Sequence, residues 1–337
     1  MPPLGPPGPR MSLQLSEIAS ATVKPSDLRT SSVITPNPED QINCGKTALK
    51  TERDIVFSRP VMHNGATKPL ALDMQKPASG GPTPLVVYIA GGGFMFAPKE
   101  NALDLRTFVA ESGFVVASVQ YRTVLDRAAY GDSVADVKSA IRFLRAHAET
   151  YGIDPKRVAV WGESAGGYLA AMAGVTGGVS GFDIGDNLDQ SSNVKAVVDK
   201  FGPSDLSKVA ADFDAKSQRT YGAADNPIAR YIDGPADGKG LFESPTASGP
   251  ANPLSYVNGS SPPFLLFHGD HDTLVSPSQT LILHERLQAA GVQSTRYVLK
   301  GAGHGDMAFT GDLKSGLPWS TNQVMGLIVD FLRRTLD

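Results

Sequence analysis

Apolar and polar residues along the chain alternate between two patterns, one typical of buried strands and one typical of amphipathic helices. The run PLVVYIA at 84–90 is continuously apolar, as expected for a strand covered on both faces of a sheet. FVVASVQ at 114–120 and RVAVW at 157–161 predict two further strands. Between them, apolar residues recur at helical spacing over 132–149, which predicts a helix with one buried face.

The same two patterns continue on both sides of this central stretch. They predict strands at 54–58, 70–74, 194–198, 264–267 and 295–299, and helices opening at 164 and spanning 277–290 and 321–336. The first two of these strands are bounded by turn residues and suggest an antiparallel start to the sheet. The later alternation of strands and helices predicts a mostly parallel central sheet flanked by helices on both faces.

The pattern is interrupted at both the start and the middle of the chain. Residues 1–45 are predicted to form an irregular segment with one short helix at most, and its Pro/Gly-rich start is expected to be disordered. Residues 46–337 are predicted to form the main domain. Within it, the Gly-, Pro- and Asp-rich stretch at about 204–250 is interpreted as an inserted cap over the carboxyl edge of the sheet.

Composition excludes several classes of function. The chain has 337 residues with a net charge of −3, so it carries no basic footprint for nucleic acid. No apolar run of about 18 residues is present, so no membrane span is predicted. The lone Cys44 can form no internal disulfide and has no neighbouring ligands for a metal site. With no apolar signal-peptide core, a cytoplasmic location is the default expectation.

The pentapeptide Gly162-Glu163-Ser164-Ala165-Gly166 carries the strongest chemical signal. It lies between a predicted strand and a predicted helix, where a Gly-x-Ser-x-Gly turn raises a serine hydroxyl above the sheet edge. A serine hydroxyl needs a general base. His304 is the predicted base, because its glycine-rich loop follows the last strand. His147 and His284 fall in predicted helices and are expected on the surface.

An acidic partner for the base is expected between the serine and the histidine. The segment after the strand at 264–267 offers Asp270 and Asp272, and its spacing favours Asp272, since Asp270 lies nearer the turn and suits a bracing role. His268 and His271 of this segment are interpreted as structural.

Three glycines directly follow the strand at 84–90 and predict an oxyanion hole. Without side chains, the backbone at Gly91 and Gly92 can approach a substrate and direct its amides at a developing oxyanion. The amide of Ala165, the residue after the serine, is the expected partner donor. A dinucleotide site is a poor match, because that motif has the form G-x-G-x-x-G at the start of a helix.

Taken together, these motifs resemble the bacterial hormone-sensitive-lipase-like esterases and the related feruloyl and acetyl esterase group. The resemblance covers about residues 50–337 and rests on the glycine loop at 91–93, GESAGG at 162–167, HGDHDTLV at 268–275 and GHG at 303–305. It implies the α/β-hydrolase fold, Asp272 as the acid, and Gly91, Gly92 and Ala165 as the oxyanion donors. One position departs from the family: Ala90 stands where a histidine that organises the loop is usual.

The sequence therefore predicts a serine carboxylesterase that hydrolyses short-to-medium acyl or aryl esters through Ser164, Asp272 and His304, with no metal or organic cofactor. Phe94, Met95 and Tyr168 are the candidate substrate contacts. The expected partner is a small-molecule ester, and the sequence is silent on oligomeric state. The same residues also suit an amidase of the arylformamidase type or an acyltransferase. A hydrolase-like protein that binds without catalysis is the alternative outside this class.

Overall fold

The computed structural model describes residues 21–233, 240–305 and 316–337, and within them the chain forms one nine-stranded sheet with helices on both faces. The strands are β1 (Ser32–Ile34), β2 (Leu49–Ser58), β3 (Leu70–Pro77), β4 (Thr83–Ile89), β5 (Val115–Val119), β6 (Ile153–Glu163), β7 (Ala196–Lys200), β8 (Phe264–Gly269) and β9 (Ser294–Leu299). The helices are α1 (Leu103–Glu111), α2 (Tyr130–Ala146), α3 (Ala148–Tyr151), α4 (Ala165–Val175), α5 (Ala215–Gly222), α6 (Pro227–Asp233), α7 (Ser278–Ala289) and α8 (Asn322–Leu336).

The strands are ordered β1-β9-β8-β7-β6-β4-β5-β3-β2 across the sheet. Strands β2–β3 and β3–β5 pair antiparallel, and every other neighbouring pair is parallel. The predicted α/β-hydrolase architecture, with its antiparallel start, is thereby confirmed. Parallel strands place their carboxyl ends on one edge, so the turns after β4, β6 and β8 converge there.

Two apolar layers cover the sheet, one on each face. Strand β4 shows how its continuous apolar run serves both layers, because Leu85 and Val87 join the layer formed with α2 and α4. Val86 and Tyr88 point to the opposite layer, formed with α1 and α8. Successive side chains of a strand face opposite sides, so a strand covered on both faces needs apolar residues at every position.

Three elements differ from the sequence prediction. Strand β1 lies in the segment expected to be irregular, and it pairs parallel with β9 through only three residues. Helix α1 was not predicted, because its mixed sequence LDLRTFVAE buries an arginine, Arg106, beside Val109 and Ala110. The helix predicted over 132–149 is interrupted at His147, which separates α2 from α3.

The chain between β7 and β8 holds α5, α6 and several short 3₁₀ turns. Aromatic side chains from this region are buried against the main core, among them Phe213, Tyr221 and Tyr231. The stretch 234–239 of the predicted cap lies outside the described residues, as does the N-terminal start that was expected to be disordered. Among the described helices, none is long and apolar enough to cross a membrane.

Strand β7 contains a buried acid, Asp199, with few hydrogen-bond partners. Asp199 is 0% exposed, and its Oδ1 accepts a hydrogen bond of 2.8 Å from the Gly202 amide. Within the described part of the chain, its Oδ2 has no hydrogen-bond partner. Burial raises the pKa of Asp199 to about 7, because the charged form loses its hydration and gains a single amide in return.

This acid makes a prediction about stability. The folded protein keeps the Asp199 proton up to a pH of about 7, whereas the unfolded chain releases it near the ordinary aspartate pKa of 3.8, so the stabilising contribution is lost as pH rises through this window. The asparagine of Asp199→Asn cannot ionise. We expect the variant to gain about 4 kcal/mol relative to wild type between about pH 4 and pH 8, measured by urea unfolding. The exposed Asp189→Asn removes the same charge and should show no such gain, and equal pH profiles for both variants would contradict the assignment.

Candidate functional site

The turn between β6 and α4 holds Ser164 in an uncommon backbone conformation. Its φ is 56° and its ψ is −123°, a combination that costs a residue with a side chain about 1–3 kcal/mol. The Ser164 amide donates to the Lys200 carbonyl at 2.9 Å, which fixes the turn to the end of β7. The surrounding structure maintains this strained conformation, and Ser164 lies at the strand-to-helix turn that the motif predicts.

The two glycines of the pentapeptide are required by close backbone contacts. A Cβ on Gly162 would lie 1.9 Å from the Gly166 carbonyl oxygen. A Cβ on Gly166 would lie 2.0 Å from the Ile89 carbonyl oxygen, at the end of β4. Helix α4 therefore begins in direct backbone contact with two strands, and this contact places Ser164 beside the glycine loop.

Three residues distant in the sequence form one hydrogen-bonded series. His304 Nε2 lies 2.8 Å from the Ser164 hydroxyl, and His304 Nδ1 lies 2.7 Å from Asp272 Oδ2. Because the carboxylate oxygen can only accept, Nδ1 carries the proton and Nε2 is left to accept from the serine. Asp272 is 0% exposed and His304 is 8% exposed, so the series is shielded from water except at the serine end.

The carboxylate of Asp272 is held from two sides. Its Oδ1 accepts hydrogen bonds from the amides of Leu274 and Val275, at 2.8 and 2.9 Å. Its Oδ2 faces both His304 and His268, the latter at 3.1 Å. Burial by itself raises the pKa of Asp272, but the interactions with His304 and His268 outweigh burial and hold the pKa below its usual value. Asp272 is therefore ionised at neutral pH.

His268 continues this network into the core. Its Nε2 lies near two acceptors, Asp272 Oδ2 and the Val275 carbonyl, so Nε2 carries the proton. Its Nδ1 then accepts from the Thr280 hydroxyl at 3.0 Å, and that oxygen accepts from Arg296 Nε at 2.9 Å. Burial lowers the pKa of His268 and keeps the ring neutral. The sequence indicated a structural role for His268, but no sequence pattern indicated its hydrogen bond with Thr280 or the link through Thr280 to Arg296.

The other residues of this region have bracing roles. The structure places Asp270 away from His304, where its Oδ1 accepts from the Gly301 amide at 2.6 Å and contacts the exposed His271. The expectation that His284 lies on the surface is wrong. His284 is 1% exposed, and its ring nitrogens form hydrogen bonds with the Ser294 hydroxyl and the Thr30 carbonyl. These bonds connect the N-terminal segment to α7 and β9.

The glycine loop after β4 lies against the serine. A Cβ on Gly91 would be 3.0 Å from the Ser164 Cβ and 2.9 Å from the Glu163 carbonyl oxygen. At Gly92 a Cβ would be 2.3 Å from the Phe96 carbonyl oxygen, because residues 92–96 form a tight turn. Within the described residues, the amides of Gly91, Gly92 and Ala165 make no hydrogen bond. These three amides belong to Ala165, directly after Ser164, and to the loop whose Gly91 packs against Ser164.

Two of the three predicted substrate contacts are buried in the core. Phe94 is 2% exposed and stacks on Tyr231 of α6 with ring centroids 4.3 Å apart. Tyr168 is 0% exposed, packs edge-on against Phe94, and donates to the Ala251 carbonyl at 2.7 Å. Both side chains pack on the core side of the site, and almost none of their surface is exposed for contact with a substrate. Met95 is partly exposed and keeps its predicted role as a candidate contact.

A buried ion pair and an aromatic pair support the serine and the histidine, and neither was indicated by the sequence. Lys200 is 1% exposed and binds the Glu163 carboxylate at 2.6 Å, directly before Ser164. The Phe201 ring packs against His304 with centroids 4.6 Å apart, and Trp319 packs on the other side of Phe201 at 4.7 Å. No group of three possible metal ligands occurs among the described residues.

The backbone contact at Gly166 predicts a stability difference between two helical glycines. In Gly166→Ala the new methyl group collides with the end of β4, so we expect a loss of about 3 kcal/mol, the upper end of the usual cost of overpacking. Gly326 of α8 has open space at its Cβ position, and Gly326→Ala should gain about 0.5–1 kcal/mol from helix propensity. Urea unfolding of both variants measures the difference, and a shift of the same sign in both would refute the argument.

The chain is similar to known esterases in sequence and in fold. The BD-FAE family model matches residues 72–287, which is more than half of the chain. Esterase LipC of Mycobacterium tuberculosis is 28% identical over 309 residues, covering 90% of this chain and 72% of LipC. Esterase LipQ of the same organism is 29% identical over 240 residues, covering 69% of this chain and about half of LipQ, 53%.

The fold has solved counterparts as well. A truncated carbohydrate esterase from gut microbiota superimposes with a TM-score of 0.72 at 24% identity, covering 90% of this chain and 99% of that one. The matches confirm the resemblance to α/β-hydrolase esterases and assign the chain to the carboxylic ester hydrolases. The chain belongs to the BD-FAE family, whose matched region contains Ser164, Asp272 and the glycine loop.

Proposed function

We propose that the chain hydrolyses short-to-medium acyl or aryl esters by two-step acyl transfer, with Ser164 as nucleophile, His304 as general base and Asp272 as the acid that orients the base. The observation that carries the proposal is the unbroken series of hydrogen bonds, 2.8 Å from serine to histidine and 2.7 Å from histidine to aspartate. These distances are within the reach that proton transfer requires.

In the first step, the Ser164 oxygen attacks the ester carbonyl while its proton passes to His304 Nε2. The imidazolium that forms is stabilised by the ionised, buried carboxylate of Asp272. The carbonyl oxygen becomes an oxyanion and accepts from the amides of Gly91, Gly92 and Ala165. Each such donor contributes about 2.7–4 kcal/mol of transition-state stabilisation in enzymes of this kind.

Collapse of this intermediate breaks the ester C–O bond, and His304 returns the proton to the leaving alcohol. Water then enters and gives a proton to His304 as its oxygen attacks the acyl-enzyme. A second collapse releases the acid and restores the Ser164 hydroxyl. The residues supply every proton acceptor and donor that both steps need, so the proposed cycle uses no cofactor.

The aromatic cluster behind the glycine loop favours a short acyl group. Phe94, Tyr168 and Tyr231 fill the space next to the loop and are all at most 2% exposed. A long acyl chain would have to displace these packed rings, whereas an acetyl or butyryl group needs no such space. The complete series from Asp272 to Ser164 also favours catalysis over the binding-only alternative.

A panel of p-nitrophenyl esters from acetyl to palmitoyl tests the reaction and its range. We expect turnover to peak at short acyl chains, and to fall in Ser164→Ala by at least about 10³-fold, because the nucleophile is lost while the fold is kept. The control is Ser112→Ala at the end of α1, which also loses a hydroxyl that donates at 2.8 Å, in that case to the Phe108 carbonyl. Full turnover in Ser164→Ala would rule out the mechanism, and a palmitoyl optimum would rule out the range.

The acid is tested by a substitution that changes one atom. In Asp272→Asn, the side-chain oxygen should occupy the Oδ1 position, because the amides of Leu274 and Val275 donate hydrogen bonds there. The new NH₂ group then faces His304 Nδ1 and donates to it, which moves the imidazole proton to Nε2 and removes the acceptor for Ser164. We expect kcat to fall by about 10⁴-fold.

Asp270→Asn is the matched comparison, since Asp270 braces the Gly301 amide and lies away from His304. Its kcat should stay within about 5-fold of wild type, because it loses one peripheral charge. A larger loss of kcat in Asp270→Asn than in Asp272→Asn would reverse the assignment of the acid.

A further inference from the structure

Tyr121 lies two residues after the end of β5, and its hydroxyl contacts the backbone on either side of the glycine loop. Its ring is buried, 1% exposed, in the same core cluster as Phe94. Its hydroxyl donates to the Ala90 carbonyl at 2.9 Å, and the Phe96 carbonyl lies 3.3 Å from the same hydroxyl. One side chain from a neighbouring strand thus reaches both ends of the turn that contains Gly91 and Gly92.

The bond to Ala90 has a direct consequence for Gly91. The Ala90 carbonyl and the Gly91 amide belong to the same peptide unit, which is planar, so their directions are opposite and rigidly linked. A donor that fixes the direction of the carbonyl therefore also fixes the direction of the Gly91 N–H, and Gly91 packs against Ser164. Donation to the carbonyl also polarises the peptide and strengthens its N–H as a donor.

Other contacts limit the position of the peptide between Ala90 and Gly91, but they do not fix its rotation. The Ala90 carbonyl oxygen lies 2.8 Å from the Cβ position of Gly166, so helix α4 packs against it from one side. The Gly92 carbonyl accepts from the amides of Met95 and Phe96, which closes the turn beyond Gly91. Among the described residues, Tyr121 provides the hydrogen bond made to the Ala90 carbonyl.

We propose that Tyr121 is the positioning residue of the oxyanion loop, and that its hydroxyl orients the Gly91 amide toward the oxygen of the ester carbonyl that Ser164 attacks. This inference rests on the proposed acyl-transfer function. It also accounts for Ala90, which stands where similar esterases have a loop-organising histidine, because the organising hydrogen bond comes here from the adjacent strand. Burial raises the pKa of Tyr121, so the hydroxyl keeps its proton at neutral pH.

Tyr121→Phe removes the donor and keeps the ring. We expect kcat for p-nitrophenyl acetate to fall by about 10- to 100-fold with KM changed less than about 3-fold, because the loop amide is needed in the transition state more than in the bound ester. Affinity for an alkyl trifluoromethyl ketone, which adds to the serine and leaves its oxygen as an oxyanion, should fall by the same factor as kcat/KM.

The control is Tyr256→Phe, which loses a hydroxyl that donates to the Pro250 carbonyl at 2.8 Å in the chain between β7 and β8. It should keep kcat and the inhibition constant of the ketone within about 2-fold of wild type. Comparable losses of kcat in both variants would show a general effect of losing a tyrosine hydroxyl, and would overturn the proposal.

Replacing Tyr121 by p-aminophenylalanine gives a second variant, which retains an N–H donor at the same place. We expect it to recover at least a third of the kcat lost in Tyr121→Phe, and no recovery would overturn the proposal even if Tyr121→Phe were unstable. Different results would refute the acyl-transfer function and the role of Tyr121. Wild-type turnover that survives Ser164→Ala refutes the acyl-transfer function, whereas inactive Ser164→Ala with unchanged Tyr121→Phe refutes only the role of Tyr121.

Discussion

Helix α4 begins in direct contact with the backbone of β4 and β6, and the rest of the site depends on that contact. Two glycines, Gly162 and Gly166, have no room for a Cβ, and Ser164 between them adopts a positive φ. The contact brings Ser164, the proposed nucleophile, beside the turn after β4, where Gly91 packs against it. A hydroxyl on a relaxed turn would lack this fixed relation to its donors.

Around this contact, buried polar groups are arranged as connected pairs and series. Asp272 balances its burial with two amides and two imidazoles, and His268 extends the series through Thr280 to Arg296. Asp199 of β7 has a single amide and stays protonated up to a pH of about 7. The difference shows that burial alone does not set the charge of an acid, since the number of donors facing it decides the outcome.

A separate set of contacts holds the glycine loop in place. Backbone hydrogen bonds close the turn from within, Tyr121 donates to the Ala90 carbonyl directly before the loop, and Tyr231 of α6 stacks on Phe94 directly after it. Phe94 accordingly faces the core, where the sequence suggested a substrate contact. An aromatic residue beside a catalytic loop can either line a pocket or support the loop, and the position of its neighbours decides between the two.

The sequence by itself determined the class of fold, the motif at Ser164 and the order of serine, acid and histidine, because hydrophobic period and glycine spacing are local properties of the chain. Strand β1 and helix α1 escaped prediction since a three-residue strand and a helix that buries an arginine have no local signal. The sequence already favoured Asp272 over Asp270 as the partner of His304, whereas tertiary structure alone decided that His268 joins them and that Tyr121 reaches the glycine loop. The contact between Tyr121 and Ala90 joins residues 31 positions apart, and the contact between His268 and Asp272 depends on the direction of nearby side chains, so both exist only once the strands are aligned in the sheet.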